Sequence, residues 1–169
     1  GISGLVSKKI FNPSILKSIN DLIIHRGPDD YGFSFWNIDL EKQNNTTIKK
    51  NNLQNYIGFG HRRLSILDLS YHGRQPMCFN NLTVIFNGEI YNYVELREEL
   101  KNLGYKFNTQ TDTEVLLKSY KQWGENCLDK FNGMFSFLIY DENKNEIFGA
   151  RDRFGVKPLY YYLSVDKKT

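Results

Sequence analysis

Leu82-Thr83-Val84-Ile85-Phe86 and Phe135-Ser136-Phe137-Leu138-Ile139-Tyr140 are apolar at nearly every position. A strand with one face in water alternates apolar and polar residues. These two do not, so both faces of each are expected to be covered. Further strand-like segments are Ile2–Val6, Tyr31–Ile38, Ile57–Arg62, Glu146–Ala150 and Leu159–Leu163, with the second quoted strand bounded as Met134–Tyr140. Strands arrive in runs with helices grouped between them, which favours α+β layering over a parallel βαβ series. Two packed sheets with helices outside satisfy both observations.

Three helices are signalled between the strands. The first takes Asn12 as N-cap and Pro13 at its first helical position, carries Ile15, Ile19, Leu22 and Ile23 as its apolar stripe, and stops at Gly27-Pro28. The second starts at Asn92, with Glu95 at the capping-box position and Leu96, Leu100 and Leu103 on one face. The third starts near Thr111 with Glu114 in the same relation, shows Leu116, Tyr120 and Trp123 on one face, and closes at Gly124. The polar stretch Asp39 to Asn55 reads as a surface loop or extended hairpin, and Ser164 to Thr169 as a domain edge.

The chain has 169 residues, enough for one domain with a sizeable core, and no internal repeat. Its net charge of +3 is small and evenly spread, which argues against nucleic-acid and anionic-membrane partners. No apolar run approaches the roughly 20 residues of a membrane span. The opening Gly1-Ile2-Ser3-Gly4-Leu5-Val6 lacks the basic flank of a signal peptide and reads as a strand from its first residue. Two distant cysteines, Cys78 and Cys127, suit a reduced, cytoplasmic setting and structural roles. The histidines His25, His61 and His72 form no pair at ligand spacing, so no metal is expected.

Four polar clusters remain. In His25-Arg26-Gly27-Pro28-Asp29-Asp30, a helix stop explains the glycine and proline but not the arginine or the aspartates. Gly60-His61-Arg62-Arg63-Leu64 ends a strand with two arginines, either a solvated edge or a carboxylate clamp, since a guanidinium fork binds both carboxylate oxygens at once. Phe86-Asn87-Gly88-Glu89 contains the commonest tight hairpin turn. Yet the chain runs on into the helix N-cap Asn92, with no returning strand. An Asn side chain with a glycine N–H also makes an oxyanion hole, and Glu89 could hold an ammonium. Thr109-Gln110-Thr111-Asp112-Thr113-Glu114 is explained by helix capping, with Asp112 favoured by the helix dipole. Together the clusters offer a cation for a carboxylate, anions for an ammonium and donors for an oxyanion. That is a receptor for an α-amino acid with a reacting acyl group, lacking only a nucleophile.

These residues resemble the glutamine amidotransferase domain of the asparagine synthetase family, the class with an N-terminal cysteine nucleophile. The resemblance runs almost end to end over 1–169, as a single domain. It rests on Gly1-Ile2-Ser3-Gly4, the His25–Asp30 cluster, Gly60-His61-Arg62-Arg63-Leu64-Ser65-Ile66-Leu67-Asp68-Leu69-Ser70, Gly73-Arg74-Gln75-Pro76-Met77, Phe86–Asn92, Thr111–Glu114, Gly133–Phe137 and Arg151–Tyr161. It implies an Ntn-hydrolase-like four-layer αββα sandwich of two antiparallel sheets between helical layers. It implies that Arg63, helped by backbone near Leu64, clamps the glutamine α-carboxylate, that Glu89 and Asp112 hold the α-amino group, and that Asn87 and Gly88 form the oxyanion hole. The family pattern places the nucleophilic cysteine directly before the residue that is Gly1 here. As it stands this chain is expected to bind glutamine without hydrolysing it.

The resemblance further implies that ammonia passes to an ATP-dependent synthetase domain, which uses ATP and Mg, while this domain needs no cofactor. It is compatible with a homodimer. Two other readings stand beside it: a glutamine-binding regulatory module without activity, and an amidotransferase of the same fold serving aminosugar or purine precursors. The amide acceptor is read by the synthetase domain and is not written in these residues.

Overall fold

The computed structural model describes residues 1–9, 11–39, 54–64 and 73–164. The elements are β1 (Ile2–Ser7), α1 (Pro13–Leu22), β2 (Asp30–Asp39), β3 (Gln54–Arg63), β4 (Met77–Phe79), β5 (Leu82–Ile90), α2 (Tyr93–Asn102), α3 (Asp112–Trp123), β6 (Gly133–Asp141) and β7 (Glu146–Arg151). Short 3₁₀ helices follow α1 at Ile24–Arg26 and α3 at Gly124–Asp129.

All strand pairs are antiparallel, in a three-stranded sheet of order β1-β3-β2 and a four-stranded sheet of order β4-β5-β6-β7. Helix α1 packs on β1 and β3, the sheets meet through β1, β3 and β5, and α3 packs on β4 and β5 with α2 against it. The result is the expected α+β sandwich of four layers, αββα.

This layering accounts for the unbroken apolar strands. Val84 and Phe86 of β5 and Phe135, Phe137 and Ile139 of β6 enter the core shared with Leu116, Leu117 and Tyr120 of α3. Ile85 and Tyr140 point the other way, into a second core with Ile57 and Phe59 of β3. Alternate side chains therefore leave water on opposite faces, each worth about 1.5–3 kcal/mol when fully buried.

Several expectations need correction. Helix α1 does take Asn12 as its cap, through a 3.0 Å bond from the Ser14 amide. Its buried face is Leu16 and Asn20, however, while Ile15 and Leu22 are exposed. The stripe is rotated because Asn20 fills a core position with its polarity satisfied. It accepts from Ser3 Oγ at 3.0 Å and lies 3.5 Å from the His61 carbonyl. Asn92 does not cap α2 with its side chain, which instead accepts from the Asn132 amide and donates to the Lys130 carbonyl, both at 2.9 Å. At α3, Thr111 accepts from the Glu114 amide as expected, but the Glu114 carboxylate turns away from the cap. Leu159–Leu163 is not a strand: Tyr160, Tyr161, Tyr162 and Leu163 are exposed, and Pro158 before them brings no amide. Strand β4 went unread, being only three residues long. Residues 10, 40–53, 65–72 and 165–169 lie outside the described residues, and with them most of the polar stretch from Asp39 to Asn55; at its described ends β2 and β3 pair as far as Asp39 opposite Gln54.

Candidate active site

Strand β3 delivers His61, Arg62 and Arg63 in succession, all buried. Arg62 is committed to α1: its Nε donates to the Asn20 carbonyl at 3.2 Å, its Nη2 contacts the Asp21 carboxylate, and its guanidinium lies over the Tyr31 ring. Its backbone exchanges bonds with Gly1, whose nitrogen donates to the Arg62 carbonyl at 2.6 Å and whose carbonyl accepts from the Arg62 amide at 2.8 Å. Gly1 thus sits opposite Arg62, continuing the β1–β3 register. Gly27 lies so close to this strand that a Cβ would stand 2.4 Å from the Arg62 carbonyl carbon and oxygen. That close approach is what the glycine of the His25–Asp30 cluster supplies.

Asn87-Gly88 is not a hairpin turn. Strand β5 continues through Ile90, with Asn87 opposite Ser136 and Gly88 opposite Phe135. Gly88 has φ +155, and a Cβ there would stand 2.1 Å from the Met134 carbonyl oxygen. Both the left-handed backbone and the lack of room demand glycine. The strand was expected to end at Phe86; tertiary pairing with β6 carries it four residues further.

Arg63, Leu64, Asn87, Gly88, Glu89 and Asp112, the six residues singled out from sequence, line one cavity of about 410 Å³. That volume lies within the common range of small-molecule sites, about 300–1,000 Å³. Gly1 lines it too, with Arg26 and Lys157 among its cationic walls. Leu64 stands at its exposed rim. Burial drives the Asp112 pKa up to about 6, against hydrogen bonds from backbone amides and with a smaller push from Glu89. The same cause drives His61 down to about 3, with the Gly1 amino group adding to it, so the imidazole is neutral and hydrogen bonded to the backbone of Phe86. Burial, with the charges of Arg26 and Lys157, lowers the Gly1 amino group to about 5.

Sequence reading gave no role to Gln75 or Lys157. Gln75 accepts from the Phe86 amide at 2.6 Å and lies 3.3 Å from Thr113 Oγ1, tying β5 to α3 beside the cavity. Lys157 arrives on a turn gathered by Asp152. The signal for each was a motif, Gly73–Met77 and Arg151–Tyr161, with no local chemistry to interpret it. Neither cysteine lines the cavity: Cys127 is buried, with its thiol pushed up to about 12 by that burial, and Cys78 lies on β4. Among the described residues no group of three or more His, Cys, Asp or Glu side chains could hold a metal ion. No described helix is long and apolar enough to cross a membrane.

Two antiparallel sheets between helical layers, with the first strand running into the cavity, give the fold of an Ntn-hydrolase-type amidotransferase domain. The chain belongs to the glutamine amidotransferase domain family, whose model matches residues 1–168. It is 46% identical over 149 residues to asparagine synthetase (glutamine-hydrolyzing) 1 of Bacillus subtilis strain 168, covering 87% of this chain and 21% of that protein. It is 42% identical over 181 aligned positions to putative asparagine synthetase (glutamine-hydrolyzing) 2 of Methanocaldococcus jannaschii, covering 96% of this chain and 32% of the relative. The chain therefore spans only about a fifth to a third of the length of these curated relatives.

Among solved structures, it superposes on the allosteric regulatory enzyme of purine biosynthesis with a TM-score of 0.53 and 32% identity, over 60% of this chain and 24% of that one. The glutamine phosphoribosylpyrophosphate amidotransferase of B. subtilis shares the fold, with a TM-score of 0.59 and 24% identity over 83% of this chain and 35% of the other.

Proposed function

We propose that this domain binds glutamine in the cavity lined by Arg63 and Asp112 and, in the complete protein, hydrolyses it to glutamate and ammonia. The observation that carries the reading is the convergence of Arg63, Asn87, Gly88, Glu89 and Asp112, from three separate elements, on a cavity that Gly1 also lines. Arg63 pairs with the α-carboxylate. Glu89 and Asp112 take the α-ammonium. The side-chain carboxamide is then left facing Asn87 and Gly88.

The nucleophile is a cysteine directly before Gly1. A residue there falls next to Arg63 in the β1–β3 register. Its thiolate attacks the carboxamide carbon, and the oxyanion is stabilised by the Asn87 amide and the Gly88 N–H. The C–N bond breaks, ammonia leaves with a proton passed through the cysteine's own α-amino group, and a γ-glutamyl thioester remains. Water then adds to the thioester, and C–S cleavage returns the thiolate and releases glutamate. The buried, cationic surroundings that lower an amino group at Gly1 would favour the neutral form of such an α-amine, the form that can accept a proton. Ammonia is passed to an ATP- and Mg-using synthetase domain that makes asparagine or a related amide, as the names of the relatives suggest.

The test is made on the full-length protein. Intact-mass analysis of its N-terminus should show a free cysteine before Gly1, and the protein should form glutamate and ammonia in equal amounts from glutamine. A free N-terminal cysteine without glutamate formation rules out the hydrolase. Glutamine binding with no cysteine in the gene product favours the regulatory module.

A further inference from the structure

The segment joining α2 to α3 is gripped from two sides by buried charge. Arg97 of α2 donates from Nη1 to the Thr109 carbonyl at 2.6 Å and from Nη2 to the Thr111 carbonyl at 2.9 Å. Glu114 of α3 accepts from the amides of Asn108 at 2.9 Å and Thr109 at 2.7 Å, and from the Thr109 hydroxyl at 2.8 Å. A cation takes the segment's carbonyls and an anion its amides. Lys118 completes the cluster, 2.5 Å from the Glu114 carboxylate and donating to the Lys106 carbonyl. Arg97, Glu114 and Lys118 are 5%, 5% and 1% exposed.

Buried ion pairs are a poor route to stability, since apolar side chains of similar volume often serve as well or better. This cluster has another consequence. The second carbonyl held by Arg97 belongs to Thr111, the N-cap of α3, and the next residue is Asp112. Thr111, Asp112 and Thr113 all line the cavity, whereas Arg97 and Glu114 do not.

We propose that Arg97 and Glu114 are positioning residues that fix the Asp112 carboxylate through the Asn108–Thr111 segment, and so set the site's preference for an acyl substrate bearing an α-ammonium group. The inference rests on glutamine being the ligand of the cavity. Because the gripped segment leads directly into Asp112, loss of the grip should affect the ammonium contact first and spare the carboxylate clamp and the oxyanion donors on other elements.

The experiment compares glutamine with its analogue lacking the α-amino group, by calorimetry well below the unfolding temperature, on the full-length protein with the cysteine before Gly1 replaced by alanine so that bound ligand is not turned over. Arg97→Lys keeps the charge but reaches only one carbonyl. Glu114→Gln keeps the shape but turns an NH₂ group toward amide donors. The two variants are made separately, so that misfolding of one leaves the other to decide. Each should bind glutamine about tenfold more weakly, the worth of roughly one charge-assisted contact, with the analogue's affinity unchanged. The proposal is overturned if both ligands weaken together, or if neither does while the melting temperature falls. Failure of the protein with Arg97 and Glu114 intact to bind glutamine is a separate result: it removes the glutamine reading itself and this inference with it.

Discussion

The Asp112 carboxylate accepts a hydrogen bond from the Ile90 amide at 3.1 Å. That contact joins the first turn of α3 to the end of β5, one residue past Glu89, and brings the two carboxylates to one cavity. The bond itself favours the ionised carboxylate, yet the pKa of Asp112 is raised. Repulsion by Glu89 contributes to the rise, but burial is the larger cause.

Asp112→Asn should therefore trade stability against binding. The folded-state pKa of about 6 lies above the ordinary 3.8, so the native state holds this proton more tightly than the unfolded chain. Stability from the protonated form is complete below about pH 4 and is lost as pH rises through about 6. The carboxylate then costs about 1–3 kcal/mol at neutral pH. Ligand binding has the opposite sign: a substrate ammonium favours the ionised carboxylate, so glutamine binding strengthens as pH rises through about 6. The Asn variant should be the more stable protein in urea at pH 7, bind glutamine about 1.5–3 kcal/mol more weakly, and lose most of that pH dependence. Superimposable titrations of the two proteins would leave Glu89 as the one anionic contact.

Arg63→Lys tests the opposite end of the ligand. The lysine keeps the charge at the end of β3 but replaces a planar fork with a single ammonium. Glutamine affinity should fall by roughly 1.5–3 kcal/mol, the range of a hydrogen bond to a charged group. Calorimetry showing equal affinity would take Arg63 out of the site.

Much of the fold was legible because burial on both faces writes an unbroken apolar strand, as in Leu82–Phe86. What escaped was decided by tertiary pairing. Asn87-Gly88 carries a strong local turn signal, yet β6 opposite it holds the chain extended, and Gly88 is needed there for φ +155 and for space against Met134. Ile15 and Leu22 outweigh Asn20 in any hydrophobic count, yet Asn20 faces inward because Ser3 and His61 satisfy it. The site residues were legible as chemistry, with a fork for a carboxylate and two anions for an ammonium. Their convergence was legible only through the family resemblance, since no local rule brings the end of β3, the C-terminal part of β5 and the start of α3 to one cavity. Gln75 and Lys157 escaped altogether, because their places depend on hydrogen bonds to backbone far along the chain.

Asn87→Ala, in the protein carrying its N-terminal cysteine, should lower the turnover number by roughly 10²–10³, the usual loss for one oxyanion donor. Because Asn87 lies within β5 and not in a turn, strand pairing should hold the backbone in place, and the Michaelis constant should move little. A loss of only a few-fold with an unchanged circular dichroism spectrum would confine Asn87 to a structural role.

Asp152, buried just past the end of β7, should matter to stability with the opposite pH sign to Asp112. One of its carboxylate oxygens accepts from the amides of Phe154 at 3.2 Å and Val156 at 2.9 Å; the other accepts from Phe135 at 3.1 Å and Lys157 at 2.9 Å. Burial alone would raise its pKa, but these amides overcome that and hold it below the ordinary carboxylate value. The stability it contributes is therefore present above the unfolded pKa of about 4 and is lost as pH falls through the lower folded value. The bond to Phe135 fastens the turn to β6 at the position facing Gly88, so a single carboxylate holds Lys157 at the cavity wall beside the proposed oxyanion donors. Asp152→Asn puts an NH₂ group where one oxygen accepted, leaving buried amide donors unmatched. It should cost about 2–4 kcal/mol in denaturant unfolding, roughly two lost charge-assisted bonds. Hydrogen exchange should locate the damage, with the Val156 and Lys157 amides losing protection while those of α3 keep theirs below the global limit. Retained protection at Val156 and Lys157 would mean that the turn holds its shape without the Asp152 carboxylate.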